Sequence, residues 1–251
     1  MNNPNLFTYL LRLADDNMIV SQRLSELIST MPELELDIAV ANIALDHLGQ
    51  ARNLYTYAAE VEGKANNEDN LAMERDERGY LNAVLVEQPN GDFAHTMARQ
   101  LFVDAYQVPL YEAMTLSADE TLRGIAAKSA KEARYHLKHS AGWVIRMGDG
   151  TEESHHRMQT AIDDLWMFTA DLFSVDQVED ALIEASIAPD IAPIRESFDT
   201  CVADVMDKAK LMAPSDPYQR LGGRTGFHTE HLGHILPELQ ALHRSHPGAS
   251  W

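Results

Sequence analysis

One cysteine, Cys201, serves the whole chain of 251 residues, so an internal disulfide is excluded and a reducing, cytoplasmic setting is expected. Long apolar runs are missing too. No stretch of eighteen apolar residues occurs, and the opening MNNPNLFTYLLRLADD carries no basic leader ahead of an apolar core, so neither membrane insertion nor export is expected. Positive charge is scarce: 20 Lys and Arg against 39 Asp and Glu give a formal net charge of −19. Such a field repels phosphate backbones and anionic lipids, which sets nucleic acid and membrane surfaces aside as main partners. It fits a solvated acidic surface or a patch that meets a basic protein. There is no GxGxxG, no Walker loop, no internal repeat, no convincing strand pattern and no justified Ser-His-Asp spacing, so nucleophilic catalysis and an α/β nucleotide fold find no support.

What the chain has is helical periodicity. Two stretches without an internal proline, Pro32 to Val61 and Glu120 to Met147, can each cross a domain as one helix of about 40 Å at ~1.5 Å per residue. In the first, Leu34, Ile38, Ala41, Leu45, Leu48, Tyr55 and Ala58 recur at three- and four-residue steps, which predicts a buried stripe. Ile43, Ala44, Ala51 and Leu54 widen the apolar arc past half the circumference, so more than one neighbour should cover it. Asp37, His47 and Arg52 fall within that arc and need partners if buried, a first sign of a polar centre.

Ahead of this helix two, Leu6 to about Ser29 predicts helix one, with Leu6, Tyr9, Leu10, Leu13, Asn17, Val20, Leu24 and Leu27 on one face and Met31-Pro32 closing it. After the polar EGKANNEDN, a shorter helix is expected over about Leu71 to Val86, then a turn at Gln88-Pro89-Asn90-Gly91. Helix three follows Asp92 and runs to about Leu116, bent at Pro109; the SADE of Ser117 to Glu120 caps helix four, which ends at Met147. Further helices are expected over Glu152 to Phe173, about Val175 to Ala185 and about Asp190 to Met212. A loop from Ala213 to Gly226 and a last helix in FHTEHLGHILPELQALHR complete the chain.

The connections distinguish between bundles. Helices one and two are tightly joined, as are three and four, while a long segment with its own short helix links the pairs. One long crossover between two hairpins is the ferritin-like arrangement. The expectation is therefore an all-α, single ferritin-like domain over 1–251, with a core bundle at about 6–147 and extra helices at about 152–243.

A bundle of this kind holds two irons when two helices each supply a Glu and the other two each supply Glu-x-x-His. Helix two offers Asp46-x-x-Gly49 and helix four Glu132-x-x-Tyr135, so carboxylates stand roughly in place and both histidines are missing. Asp16 and Asp104 are candidates for the lone carboxylates, and His136 stands beside Tyr135. Each has a plainer reading. Asp46 shares a polar side with Glu35, Asn42 and Asn53; His136 can satisfy Glu132 without metal; Asp104 lies one turn before Pro109, where polar groups rescue loosened backbone. Glu152-x-x-His155, Glu153-x-x-His156 and the trio His228, His231 and His234 have ligand-like spacing but suit a surface or subunit contact better than a central site. On spacing alone three functions stay open: an inactive partner in an oxygenase complex, an independent di-iron or manganese oxidase, and a homo-oligomeric structural or iron-storage bundle.

The segments YLLRLADDNMIVSQRLSEL (9–27), LDHLGQARNLYTYAAE (45–60), ERDERGYLNAVLVEQPNGDFAHTMARQ (74–100), KEARYHLKHSAGWVIRMGDGT (131–151) and GGRTGFHTEHLG (222–233), in this order and spacing, carry a resemblance over essentially the full length. The chain resembles the structural, non-catalytic subunits of the bacterial ring-1,2-phenylacetyl-CoA epoxidases, multicomponent monooxygenases of aerobic phenylacetate catabolism. The resemblance implies a ferritin-like subunit without catalytic residues or a cofactor of its own. It implies a related catalytic subunit that carries the di-iron centre, a small bridging subunit, and a reductase supplying NADPH electrons through FAD and an iron-sulfur cluster. Asp46, Gly49, Glu132 and Tyr135 would be remnants of a lost site, with Arg52, His47, His136 or Arg134 expected to replace the missing cations. Helix two is the clearest candidate for the pairing face.

Overall fold

The structure, a computed structural model, describes residues 3–214 and 218–249, so Ser215, Asp216 and Pro217 of the expected loop lie outside the described residues. Among the described residues the chain is all-α, with no strand. Its helices are α1 (Pro4–Ser25), α2 (Leu34–Glu62), α3 (Glu68–Met73), α4 (Phe93–Met114), α5 (Glu120–Gly148), α6 (Glu152–Trp166), α7 (Gln177–Glu184), α8 (Ile191–Ala209) and α9 (Glu230–Ser245). Hairpin, crossover, hairpin and further helices follow one another in the order of a ferritin-like bundle. No helix among the described residues is long and apolar enough to cross a membrane. The chain forms two compact units, Met1–Pro89 with Leu221–Trp251, and Asn90–Arg220.

In the first unit α1 packs along α2. Asn3 caps α1 by accepting from the Leu6 amide, with Pro4 at the first helical position, where its missing N–H costs nothing. The hairpin turn is set by Ser29 at φ 74°, whose amide donates to Asp37 Oδ1 at 2.7 Å. Gly63 closes α2 in the left-handed conformation that glycine adopts without steric cost. From Tyr9 to Ser21 every residue of α1 is buried, so this helix, rather than α2, is the central one.

Helix α2 buries only one side of the wide apolar arc expected of it. Leu34, Ile38, Leu45 and Leu48 are 71%, 52%, 63% and 39% exposed, whereas Leu36, Val40, Ile43, Ala44, His47, Ala51 and Leu54 are buried; of the expected stripe only Tyr55 and Ala58 point inward. Two apolar stripes share this helix, and α1 covers the one rich in small and β-branched residues. Arg52 lies outside with the leucines.

The expected helix over Leu71 to Val86 is also different. Helix α3 stops at Met73, a 3-10 turn covers Glu77–Gly79, and Tyr80 to Val86, buried except for the half-buried Leu81, is not helical. Side chains of α1 supply the physical reason: Asp15 Oδ2 accepts from the Leu81 amide at 2.7 Å and Asp16 Oδ1 from the Ala83 amide at 2.8 Å. A buried segment whose N–H groups are satisfied in this way has no need of helical partners.

In the second unit α4 packs along α5, with α6 and α8 against both. Asp92 and Asp119 cap α4 and α5 by accepting from the His95 and Leu122 amides at 3.0 and 2.8 Å. Helix α4 continues through Pro109 to Met114 and is buried on nearly all sides from Thr96 to Tyr106. The fifth expected helix is divided at Trp166, with a 3-10 turn over Thr169–Phe173. Its aromatics are packing residues: Phe102 meets Trp166 at 5.7 Å and Phe198 at 6.2 Å, and Phe173 meets Phe198 at 5.0 Å.

Candidate functional site

Two acidic residues stand side by side in the middle of α1, and burial forces each to find a cation. Asp16 accepts from Arg224, Nη1 to Oδ1 at 3.0 Å and Nη2 to Oδ2 at 2.8 Å, besides the Ala83 amide. The same guanidinium donates to the carbonyls of Arg12 and Leu81, both at 3.2 Å, while Arg12 Nη2 donates to the Arg224 carbonyl at 3.1 Å. Burial raises the Asp16 carboxyl above its ordinary value, and Arg224 and the amide oppose that rise. Asp15 is held by both Arg75 nitrogens and by the Tyr55 hydroxyl at 2.5 Å.

A third carboxylate, Glu87, is fully buried in the segment after α3. It accepts from His228 Nδ1 at 2.8 Å, from the Thr229 amide and hydroxyl at 2.5 and 2.7 Å, and from Asn82 at 2.8 Å. His228 Nε2 faces the Tyr80 carbonyl at 2.8 Å, so both ring nitrogens meet acceptors and the protonated imidazolium satisfies both. Arg12, Arg75, Arg224 and His228 therefore tie α1, the crossover and the chain's last segment into one polar interior.

His47 is fully buried on α2, with Nδ1 2.8 Å from Asn17 Oδ1. Because the Asn17 amide nitrogen donates to the Leu13 carbonyl at 2.8 Å, its oxygen accepts the His47 Nδ1 proton. In the second unit Asp104, fully buried on α4, accepts from Ser140 Oγ at 2.7 Å. Burial pushes this carboxyl from 3.8 up to about 8, against the lowering effect of Ser140. His136, one turn before Ser140 on α5, is also fully buried.

The residues singled out by ligand spacing are placed as follows. Asp16 is closed by Arg224. Asp46 and Gly49 are half-buried on the flank of the exposed leucines of α2. Glu132 is half-buried with Lys128 Nζ 3.5 Å away, and Tyr135 is 54% exposed. His136 and Asp104 alone of the second unit's candidates are fully interior. Of the positions read from spacing, one carboxylate is thus engaged by a guanidinium, and the side chain at the second imidazole position faces outward. Two of the four residues expected as replacement cations, Arg52 and Arg134, pair with other carboxylates. Arg52 pairs with Glu68 at 3.7 Å and Arg134 with Glu112 at 2.7 Å, both largely in solvent, whereas Arg224 and Arg75 serve the buried aspartates.

Helix spacing missed Arg224, Arg75, Asp15 and Glu87, since none lies in a Glu-x-x-His frame. The signal that could have found them was the pair Asp15-Asp16 inside LLRLADDNMIV, two charges in a run too apolar to be a surface. The trio His228, His231 and His234 also separates: His228 precedes α9 with its side chain buried on Glu87, His231 is half-buried and His234 is exposed.

A family model described as "Phenylacetic acid catabolic protein" matches residues 1–251. The chain is 50% identical over 246 residues to a subunit of the 1,2-phenylacetyl-CoA epoxidase of Escherichia coli (strain K12), covering 98% of this chain and 99% of that protein.

Proposed function

From a chain that belongs to the phenylacetic acid catabolic protein family, we propose the role of a non-catalytic subunit in a multicomponent monooxygenase that epoxidises phenylacetyl-CoA. It acts by holding a related ferritin-like catalytic subunit in an active, soluble form. That partner carries the di-iron centre; a small bridging subunit and a flavin and iron-sulfur reductase complete the cytoplasmic complex. Identity along the full length to a subunit of such an epoxidase supports the assignment to the complex. The observation that carries the non-catalytic role is the Asp16–Arg224 pair, in which a candidate metal carboxylate is bound at both oxygens by a guanidinium. Three of the roughly four acceptor positions of that carboxylate are then taken, two by the guanidinium and one by the Ala83 amide.

The test is to express the catalytic bundle with and without this chain, then measure its solubility, iron content and epoxidation with reductase and bridging protein supplied. We expect aggregation or iron loss when this chain is omitted, because an obligate face left uncovered exposes apolar surface. A catalytic subunit equally soluble, iron-loaded and active alone would overturn the proposal.

A further inference from the structure

Helix α5 carries the opposite charge from the rest of the molecule. Six of the chain's 20 Lys and Arg, namely Arg123, Lys128, Lys131, Arg134, Lys138 and Arg146, lie in its 29 residues beside only two acids, Glu120 and Glu132. Over the whole chain acids outnumber bases almost two to one. At about 100° per residue, Lys128, Lys131, Lys138 and Arg146 fall within an arc of roughly 80°. All four are exposed, along a line about 27 Å long at ~1.5 Å per residue. Glu132 touches only the border of this face, 3.5 Å from Lys128. Among the described residues Lys131, Lys138 and Arg146 meet no carboxylate.

Nothing inside the chain accounts for this face. Solvated lysines contribute little to stability, and like charges a turn apart on a helix repel. Gly124 and Gly142 lie on the same line, and a Cβ at either would meet nothing within 4 Å, although glycine weakens a helix interior. Between Lys138 and Arg146 the surface is therefore low as well as basic, so another protein's backbone can approach closely.

Charge selects an acidic occupant. An extended polyanion such as nucleic acid or an anionic bilayer would overlap the acidic remainder of a chain whose net charge is −19, whereas an acidic patch on a protein meets the basic line alone. A second copy docked in this way would join unlike surfaces and polymerise unless a ring closed. Lysine is depleted from lasting interfaces, and exposed charge raises the rate of encounter more than it deepens binding, which suits a partner that docks and leaves. We infer that the basic face of α5, from Lys128 to Arg146, is a transient docking surface for an acidic patch on the reductase. Naming the reductase rests on the role proposed above; the face itself belongs to a different helix from α2, the expected pairing face.

Steady-state epoxidation by the reconstituted complex, with the reductase as the varied component, tests this. The expected result is a reductase KM that rises with salt. Lys131→Glu with Lys138→Glu should raise that KM about tenfold at roughly 0.01 M ionic strength, where charges act over ~30 Å, and leave kcat at saturating reductase unchanged. Near 1 M, where the range falls to ~3 Å, variant and parent should converge. Both lysines already meet solvent, so circular dichroism, thermal unfolding and assembly with the catalytic bundle should match the parent. Lys64→Glu, an exposed reversal in the other unit, changes net charge as much as either single substitution and should leave KM alone. A double variant with the parent's KM and salt dependence overturns the inference. So does a kcat lowered at every reductase concentration, or a low-salt polymer of the chain that the two changes dissolve, which would assign the face to a second copy. A complex equally active without this chain defeats the proposed role and the docking together, whereas an unchanged KM defeats the docking alone.

Discussion

Arg224 gives Asp16 a partner that water cannot replace, because both side chains are almost wholly buried. Removing one member of such a pair leaves an uncompensated interior charge. Arg224→Met should therefore cost about 3 to 5 kcal/mol in urea unfolding, with Arg224→Lys recovering only part, since an ammonium cannot reproduce the two-pronged contact. Equal stability of the Met variant would mean that Asp16 is already neutral. Asp104 behaves in the opposite sense, because its carboxylate meets the Ser140 hydroxyl where Asp16 meets a guanidinium. Its carboxyl is held at about 8 against an ordinary 3.8, so between those values the folded chain keeps a proton that the unfolded chain has lost. Stability then falls as pH rises through that window and levels off above it. Asp104→Asn mimics the protonated form; it should unfold at higher urea than the parent at pH 8 and match it near pH 4. Parallel pH profiles for the two proteins would refute a buried neutral Asp104.

At the scale of elements, His228 and Glu87 fasten the start of the last segment onto the crossover after α3. Burial alone would lower the His228 pKa, but Glu87 and the Tyr80 carbonyl hold it above 6.5. A histidine whose folded value is raised contributes fully below its unfolded value and loses that contribution as pH rises through the folded one. Amide exchange in residues 222–232 should consequently speed up, after correction for intrinsic rates, as pH goes from 6 to 9. A His228→Gln chain should lack that dependence; identical profiles would sink the idea. Elements of this kind were only partly legible in the sequence. Period and caps found α2, α4, α5 and α9 because they depend on local spacing, but the side of α2 that faces inward did not follow, since both its stripes are apolar. The non-helical Tyr80–Val86 was hidden for a related reason: its amides are satisfied by Asp15 and Asp16, 66 and 67 residues earlier.

For the whole molecule, connection lengths disclosed the hairpin, crossover, hairpin order, whereas the return of Leu221–Trp251 to the unit begun by α1 rests on a bond between residues 208 apart. No window of the sequence contains both ends of that bond. The candidate site was legible to the same degree: Asp16 and Asp104 stood out as candidate lone carboxylates, and what meets them in the interior did not. The proposed role draws on that second part, because Asp16 is closed by Arg224 and burial pushes the Asp104 carboxyl up to about 8. Glu132→Gln and Tyr135→Phe discriminate the two. Both residues sit where a di-iron helix would carry ligands, yet Tyr135 is largely in solvent and Glu132 lies near a surface lysine. In the reconstituted complex each variant should leave the rate of phenylacetyl-CoA oxidation per assembled complex unchanged. In parallel, elemental analysis of the chain purified alone after aerobic iron loading should find far less than a stoichiometric iron pair. Normal assembly with loss of the chemical step, or a full iron pair with oxo-bridge absorption, would place a working centre in this chain and defeat the non-catalytic reading.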